Sequence, residues 1–210
     1  LFHSIREKEM PELQIFMTSM CFKEEKYTTS FNLDHLLNFG SVFFSRGKKA
    51  FPGLHFQINL LRPKSTGNVR LKSSNPNEEL QINPNWFSDL LDMDDLIEGM
   101  KYTREVLSKP SLKKIVSEEL LPGKEVKSTE DMKEAVRNHV QTGHHPASTC
   151  AMGSDNNKLA VLDEKLRVKG IKNLRVVDAS SFPDMISGNI NASVIMLAEK
   201  AADMILENIN

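Results

Sequence analysis

Two adjacent histidines, His144 and His145, stand near the start of the stretch GHHPASTCAMG (Gly143–Gly153), with Cys150 close behind them. Three kinds of chemistry are open to such residues. As metal ligands, His144, His145 and Cys150 form an incomplete set. Neighbouring side chains of an extended segment point to opposite faces, and no CxxC, HxxxH or HExxH pattern supplies further ligands. As a nucleophile, Cys150 has a histidine close in sequence, but no specific signature surrounds it; a small buried apolar residue is the favoured reading. As a general acid or base, either histidine suits proton transfer near neutral pH, and either could instead satisfy loop backbone. A second polar cluster, SGNINAS (Ser187–Ser193), carries Asn189 and Asn191. It reads as a turn, with Asn191 equally suited to cap the helix that follows.

The elements that must present these groups follow from periodicity and punctuation. Ser128–Val140 reads as a helix with Ser128 as N-cap and Asp131 at the N3 position of a box-like start. Met132, Ala135, Val136 and Val140 form its apolar stripe, and Gly143 lets the chain leave it. The histidines therefore sit in a loop directly after a helix, where catalytic groups are often presented. Asn173–Ser180 reads as a short apolar strand ending in Asp178, followed by a loop and a helix over Ser193–Ile209. Val194, Ile195, Ala198, Ala201, Ala202 and Ile205 give that helix a broad apolar face. A strand, polar loop and helix in series often hold a ligand at the helix N-terminus, where free N–H groups favour negative charge.

Upstream, Pro11–Phe22 and Leu54–Pro63 read as strands, and Val69–Lys72 and Leu80–Ile82 as two short strands across a turn. Met93–Lys109 reads as a helix, with Leu96, Ile97, Met100 and Leu107 on one face, Asp94 or Asp95 as cap, and Pro110 at its end. Lys23–Ser41 is ambiguous, a loop with a short helical turn.

Composition bounds the rest. The chain has 210 residues, 40% hydrophobic and 26% charged, in the range of an ordinary globular protein. A net charge of −1 leaves no electrostatic footprint for nucleic acid. No apolar run approaches the roughly 20 residues of a membrane span. Two cysteines do not make a disulfide framework. The opening LFHSIREKEMPELQIF is neither a signal nor a transit peptide. It begins with Leu1, which is expected if the chain starts inside a longer polypeptide. There is no GxGxxG, GxSxG or P-loop.

Several stretches taken in order resemble the C-terminal region of the glucose-methanol-choline (GMC) flavin oxidoreductases. They are LLRPKSTGNVRLKSSNP (60–76), INPNWFSDLLDMDDLIEGMKYTREVL (82–107), HHPASTCAMG (144–153), VLDEKLRVKGIKNLRVVDASSFPDMISGNINAS (161–193) and VIMLAEKAADMIL (194–206). The likeness runs from about Leu60 to the end and is similar in flavour to the glucose-dehydrogenase-like members of arthropods. The resemblance implies an α+β fold: a mostly antiparallel substrate-domain sheet backed by helices, plus a C-terminal strand-loop-helix segment. That segment would complete a Rossmann-like FAD domain whose N-terminal half is missing here. Residues 1–140 would be a partial substrate-binding domain, and 141–210 the catalytic loop and the C-terminal part of the FAD domain.

The implied activity is oxidation of the CH–OH group of an alcohol or sugar by hydride transfer to FAD, with oxygen or a quinone as electron acceptor. The fragment alone is expected to be inactive without the N-terminal half of the same polypeptide. His145, directly before the proline, takes the family's catalytic histidine position, and Asn189 the second catalytic position. Asp178, Ala179, Asn191 and Ala192 fall on the family's flavin contacts. The resemblance implies no metal and no nucleic-acid partner, and favours an extracellular location. Five positions depart from the family pattern. Ala147-Ser148 replaces Val-Gly, Ala151 replaces Arg, Ser193 replaces Pro and His144 replaces an aromatic residue. Ser148, a side chain where glycine is usual, motivates an alternative of another class: a non-catalytic small-ligand-binding protein on the same scaffold.

Overall fold

The computed structural model describes residues 2–5, 10–22 and 50–207. The expected loop at Lys23–Ser41 lies outside the described residues. The described elements are β1 (Phe2–His3), β2 (Leu13–Phe22), β3 (Ala50–Leu60), β4 (Asn68–Arg70), β5 (Gln81–Asn83), α1 (Leu90–Ser108), α2 (Pro110–Lys113), α3 (Thr129–His139) and α4 (Asn191–Glu207). A single 3-10 turn occupies Ala179–Ser181. The chain divides into two compact units, one of residues 1–59 and 93–141, the other of residues 60–92 and 142–210.

In the first unit, β1, β2 and β3 form one sheet in that order, with β1 antiparallel to β2. Both longer strands overlap the stretches expected from sequence. The helix α1 packs Met93 and Ile97 fully inward and half-buries Leu96, Met100 and Leu107, matching the expected stripe. Its Gly99 explains how close helix and sheet come. A Cβ there would lie 2.7 Å from Ile58 Cγ2 and 2.9 Å from Leu13 Cδ1, so any side chain would force these methyls to shift. The ring of His3 stacks on Tyr102 at 3.8 Å between centroids. Arg104 ties the following loop to α1. Its guanidinium donates to both oxygens of Glu119 (2.9 and 2.6 Å) and to the carbonyls of Val126 (2.7 Å) and Gly123 (3.2 Å).

The expected cap of α1 moves. The helix begins at Leu90, ahead of the Met93 start read from sequence, and Asp89, not Asp94 or Asp95, accepts from the N–H of Leu91 (2.9 Å). Leu90 and Leu91 open the helix but face solvent, and Asp92 is buried, so the first turn falls outside the apolar stripe. Pro110 ends the periodic stripe as expected, yet it also opens the short α2 at a position where a missing N–H costs nothing. The start of α3 is as read: Ser128 Oγ accepts from Asp131 N–H (3.1 Å), and Asp131 Oδ2 accepts from Ser128 N–H (3.2 Å). The hydrogen bonds from the Ser128 side chain and backbone hold the Asp131 carboxyl below its usual range. The end of α3 is also as read, with Val140 closing the helix, but the exit beyond it differs. The helix stops at His139, with Val140 extended, and the left-handed residue of the exit is His144 rather than Gly143.

In the second unit, β4 and β5 pair antiparallel with Val69 opposite Ile82. The buried Asp92 carboxylate accepts from the N–H groups of Lys64 and Ser65, both at 2.8 Å, and anchors the entry to this hairpin. The core gathers Leu162, Leu166, Phe182, Leu197 and Ala201. The strand expected over Asn173–Ser180 does not form. Arg175 makes a single bridge to Arg167, and the chain then tightens into the 3-10 turn. The Asp178 side chain explains this: it accepts from Ser180 N–H (2.7 Å), an interaction that competes with a ladder. The broad apolar face expected on α4 also divides. Leu197 and Ala201 are buried and Val194 half-buried, while Ile195, Ala198, Ala202 and Ile205 are exposed.

Candidate active site

The stretch around the two histidines owes its shape to residue-level constraints. Thr142 Oγ1 accepts from His144 N–H at 3.0 Å. His144 is left-handed, with φ +58°. His145 precedes Pro146, so its backbone is restricted to extended conformations, and Pro146 holds its own φ near −65°. Ala147 packs against the core. Ser148 is left-handed again, with φ +69°.

Beyond this point the chain is laced to the 3-10 turn. The N–H groups of Ser148, Cys150 and Met152 donate in order to the carbonyls of Ala179 (3.2 Å), Ser180 (2.8 Å) and Ser181 (2.9 Å). The turn is itself braced, because the fully buried Ser181 Oγ donates to the Asp178 carbonyl at 2.6 Å. Sequence reading missed this turn, although Asp followed by two serines within three residues is a usable signal for it. Asp163 holds the adjoining turn. It accepts from the N–H groups of Lys165 and Arg167 (both 2.9 Å) and pairs with the Arg167 guanidinium (2.7 Å). Burial pushes its carboxyl up, but these hydrogen bonds and the Arg167 charge outweigh that and hold it below the usual range.

The second polar cluster reaches the same core by another route. Gly188 has φ +135°, a conformation suited to glycine, and its N–H donates to Ile186 C=O at 2.9 Å. Ile186 and Ile190 pack on the core, as do Ala147, Cys150 and Ala179. The first turn of α4 begins at once, with Val194 N–H donating to Ile190 C=O. All six residues singled out from sequence thus lie in the second unit. His145 and Ala179 are half-buried, while Asp178, Asn189, Asn191 and Ala192 are exposed. Asn191 and Ala192 occupy the first turn of α4, whose N–H groups lack intrahelical partners and form the positive end of the helix dipole.

Two other readings of the histidine stretch are narrowed. Cys150 is a free, half-buried thiol packed on the apolar core, as its small-hydrophobe reading requires. Among the described residues, no group of three His, Cys, Asp or Glu side chains gathers as metal ligands would. Among the same residues no helix is long and apolar enough to cross a membrane.

Comparison with known proteins converges on one family. The family model described as GMC oxidoreductase matches residues 63–198. An oxygen-dependent choline dehydrogenase of Vibrio vulnificus (strain YJ016) is 41% identical over 162 residues, covering 76% of this chain and 29% of the relative. An alcohol dehydrogenase (acceptor) of Pseudomonas putida is 39% identical over 166 residues, covering 78% of this chain and 30% of the relative. A structure concerned with FAD modification in the formate oxidase of Aspergillus oryzae superposes with a TM-score of 0.69 at 35% identity. It covers 75% of this chain and 29% of that one. This chain therefore spans less than a third of the length of the relatives it matches.

Proposed function

Because this chain belongs to the GMC oxidoreductase family, we propose that it forms part of an FAD-dependent enzyme oxidising the CH–OH group of an alcohol or sugar. The observation that carries this reading is the shared core of the second unit. Ala147 beside the His145 loop, Ala179 in the 3-10 turn, Ile190 next to Asn189 and Val194 in α4 pack on the same buried cluster. Residues far apart in sequence are thereby held on one small scaffold.

The donor set fits a flavin. Asn191 and Ala192 offer exposed helix N-terminal N–H groups, which suit the negative charge of a reduced flavin ring system. Asp178 and Ala179 line the adjoining turn and complete the proposed cofactor contacts. FAD, when bound, supplies the acceptor for the hydride that leaves the alcohol carbon. The chain's own residues do the rest. Neutral His145 takes the hydroxyl proton at an imidazole nitrogen, because removing it raises the electron density that expels the hydride. Asn189 hydrogen-bonds the alcohol oxygen and orients the substrate, a contribution that alone can supply several kcal/mol of the barrier. An exposed helix N-terminus carries none of this alone; the packing of three separate segments together does.

In this reading residues 1–140 belong mainly to the substrate domain and 141–210 to the cofactor domain, with the stretch 60–92 packing on the cofactor side. The uncovered apolar residues of α4, Ile195 (54% exposed) and Met196 (60%), are the surface expected to receive the rest of the FAD domain. Oxygen or a quinone reoxidises the flavin. The narrower likeness to arthropod glucose-dehydrogenase-like members is carried by the motif stretches alone.

The test is made on the full-length polypeptide. Purified protein should show flavin absorbance, and His145→Ala should keep its flavin while losing about 10²- to 10⁴-fold in substrate-driven flavin reduction. A colourless protein that still binds a small ligand would instead support the non-catalytic alternative. Near-normal reduction by His145→Ala would remove His145 as the base.

A further inference from the structure

We infer that the β4–β5 hairpin is a docking arm, its apolar face covered by the part of the full-length polypeptide that lies outside these 210 residues. The strand register divides the ribbon. Val69 stands opposite Ile82 and Arg70 opposite Gln81; one step further, Leu71 comes opposite Leu80. Side chains alternate between the faces of a strand. One face is therefore Val69, Leu71, Leu80 and Ile82, and the other Asn68, Arg70, Gln81 and Asn83. This is the pattern of an antiparallel pair with one face packed and one solvated. Yet neither face is covered among the described residues. Leu71 is 74% exposed and Ile82 67%, with Val69 and Leu80 exposed beside them. Single exposed leucines are ordinary on a protein surface, but apolar side chains gathered on one face mark an interaction site.

The ribbon is fixed at both ends by polar bonds of its own. At the base, Ser65 Oγ accepts from Asp89 N–H (3.1 Å), and Asn85 Nδ2 donates to the Thr66 carbonyl (3.0 Å). Gly67 passes so close to the opposite strand that a Cβ would collide with the Asn83 carbonyl oxygen. At the tip, Ser73 Oγ donates to Glu78 Oε2 (2.5 Å) and accepts from Asn75 N–H (3.1 Å), while Asn75 Oδ1 accepts from Asn77 N–H (3.1 Å). Two strands alone are marginal in water, so the arm is stabilised by whatever its apolar face is pressed against.

Size and chain length select the occupant. Four aliphatic side chains remove roughly 250–500 Å² from water, short of the ≈ 800 Å² per partner of a stable complex. A second copy would also have to offset lost translational and rotational freedom. A segment of the same polypeptide acts at an effective concentration in the millimolar range and does not face that loss. Such length exists in the relatives, since this chain covers 29% of one and 30% of another. The hairpin itself lies inside the stretch that matches the family, residues 63–198.

The test is cross-linking in the full-length polypeptide, produced with a photoactivatable diazirine analogue of leucine that keeps the side chain's size and needs no substitution. Mass spectrometry of the irradiated protein should find Leu71 and Leu80 joined, within one polypeptide, to residues outside the 210 of this chain. Bonds to a second copy, bonds confined to residues of this chain, or reaction with water alone would each overturn the inference. Two variants read the energetics by denaturant unfolding. Ile82→Asp puts a charge on the apolar face and should lower the folding equilibrium constant about 10-fold or more. Gln81→Asp, on the opposite face, should leave it within about threefold; equal effects would also overturn the docking. Neither measurement needs turnover or bound flavin, so both stand apart from the assignment of His145.

Discussion

The helix α3 and the loop-rich stretch from His144 to Phe182 are built by opposite strategies. In α3 every decisive interaction lies within a few residues. Ser128 and Asp131 cap each other across three positions, and Met132, Ala135 and Val136 recur at helical spacing to bury one face. In the loop-rich stretch, local turns such as those at Asp163 and Asp178 are joined to one another by longer-range bonds. Ser148 is bonded to Ala179, Cys150 to Ser180, Met152 to Ser181, Gly153 to Leu162 and Val176 to Leu166. Single bridges and one 3-10 turn interrupt the loops, and the left-handed residues His144, Ser148, Leu166 and Asn173 lie along the stretch. A capped helix is cheap to specify and has little freedom to offer a ligand. A laced set of loops costs more to hold, but it can place several unlike side chains on one surface, which is what a redox site requires.

The contrast can be tested by removing one support at a time. The largest expected effect is at Leu162, which is fully buried in the core under the loops. Leu162→Ala should cost about 2–5 kcal/mol, and denaturant unfolding would show it. If the loops were held mainly by their own hydrogen bonds, the loss would fall well short of that range. Next comes Asp163, whose carboxylate organises one turn by itself. Asp163→Asn should cost about 1–3 kcal/mol near neutral pH, because hydrogen bonds to a charged acceptor are lost.

The pH dependence of Asp163 has a definite sign. Its folded-state value is held below the ordinary carboxylate range, so the unfolded chain binds the proton more readily. The stabilisation is full above the ordinary Asp range and is lost as pH falls through the lower folded value. Thermal melts of the parent and Asp163→Asn should converge on acidification; a gap that persists at low pH would show that charge is not the cause. The smallest effect belongs to the local strategy. Ser128→Ala should cost about 1 kcal/mol through the lost cap, with no change in the exchange of the Ser148 or Cys150 amides. A change there would mean that helix and loops are not independent supports.

What the sequence made legible follows the same division. The capping box of α3, the stripe of α1 and the paired strands β4 and β5 were readable because their signals are short-range. The cap of α1 at Asp89 and the 3-10 turn at Ala179–Ser181 were not placed correctly. In each case a side chain or a backbone group took a partner that periodicity does not record. The candidate site stood between these cases. His145 and Asn189 were singled out only because several motifs in order resembled one family; by residue type alone, His144 and His145 were indistinguishable, Cys150 read as a small buried hydrophobe, and a plain polar loop was the favoured reading.

By itself, then, the sequence determined which residue types are available for chemistry, where the well-capped helix begins and to which family the motifs point. Tertiary structure alone decided that Asp178 closes a tight turn instead of ending a strand, and that most of the apolar face of α4 is left uncovered. It also decided that Ser148 adopts a left-handed conformation. The reason is physical. Capping and periodicity are encoded within one or two turns of chain. A strained φ is set by what packs on the residues before it and what bonds the residues after it, and those partners lie some thirty residues away, at Ala179 and Ser180.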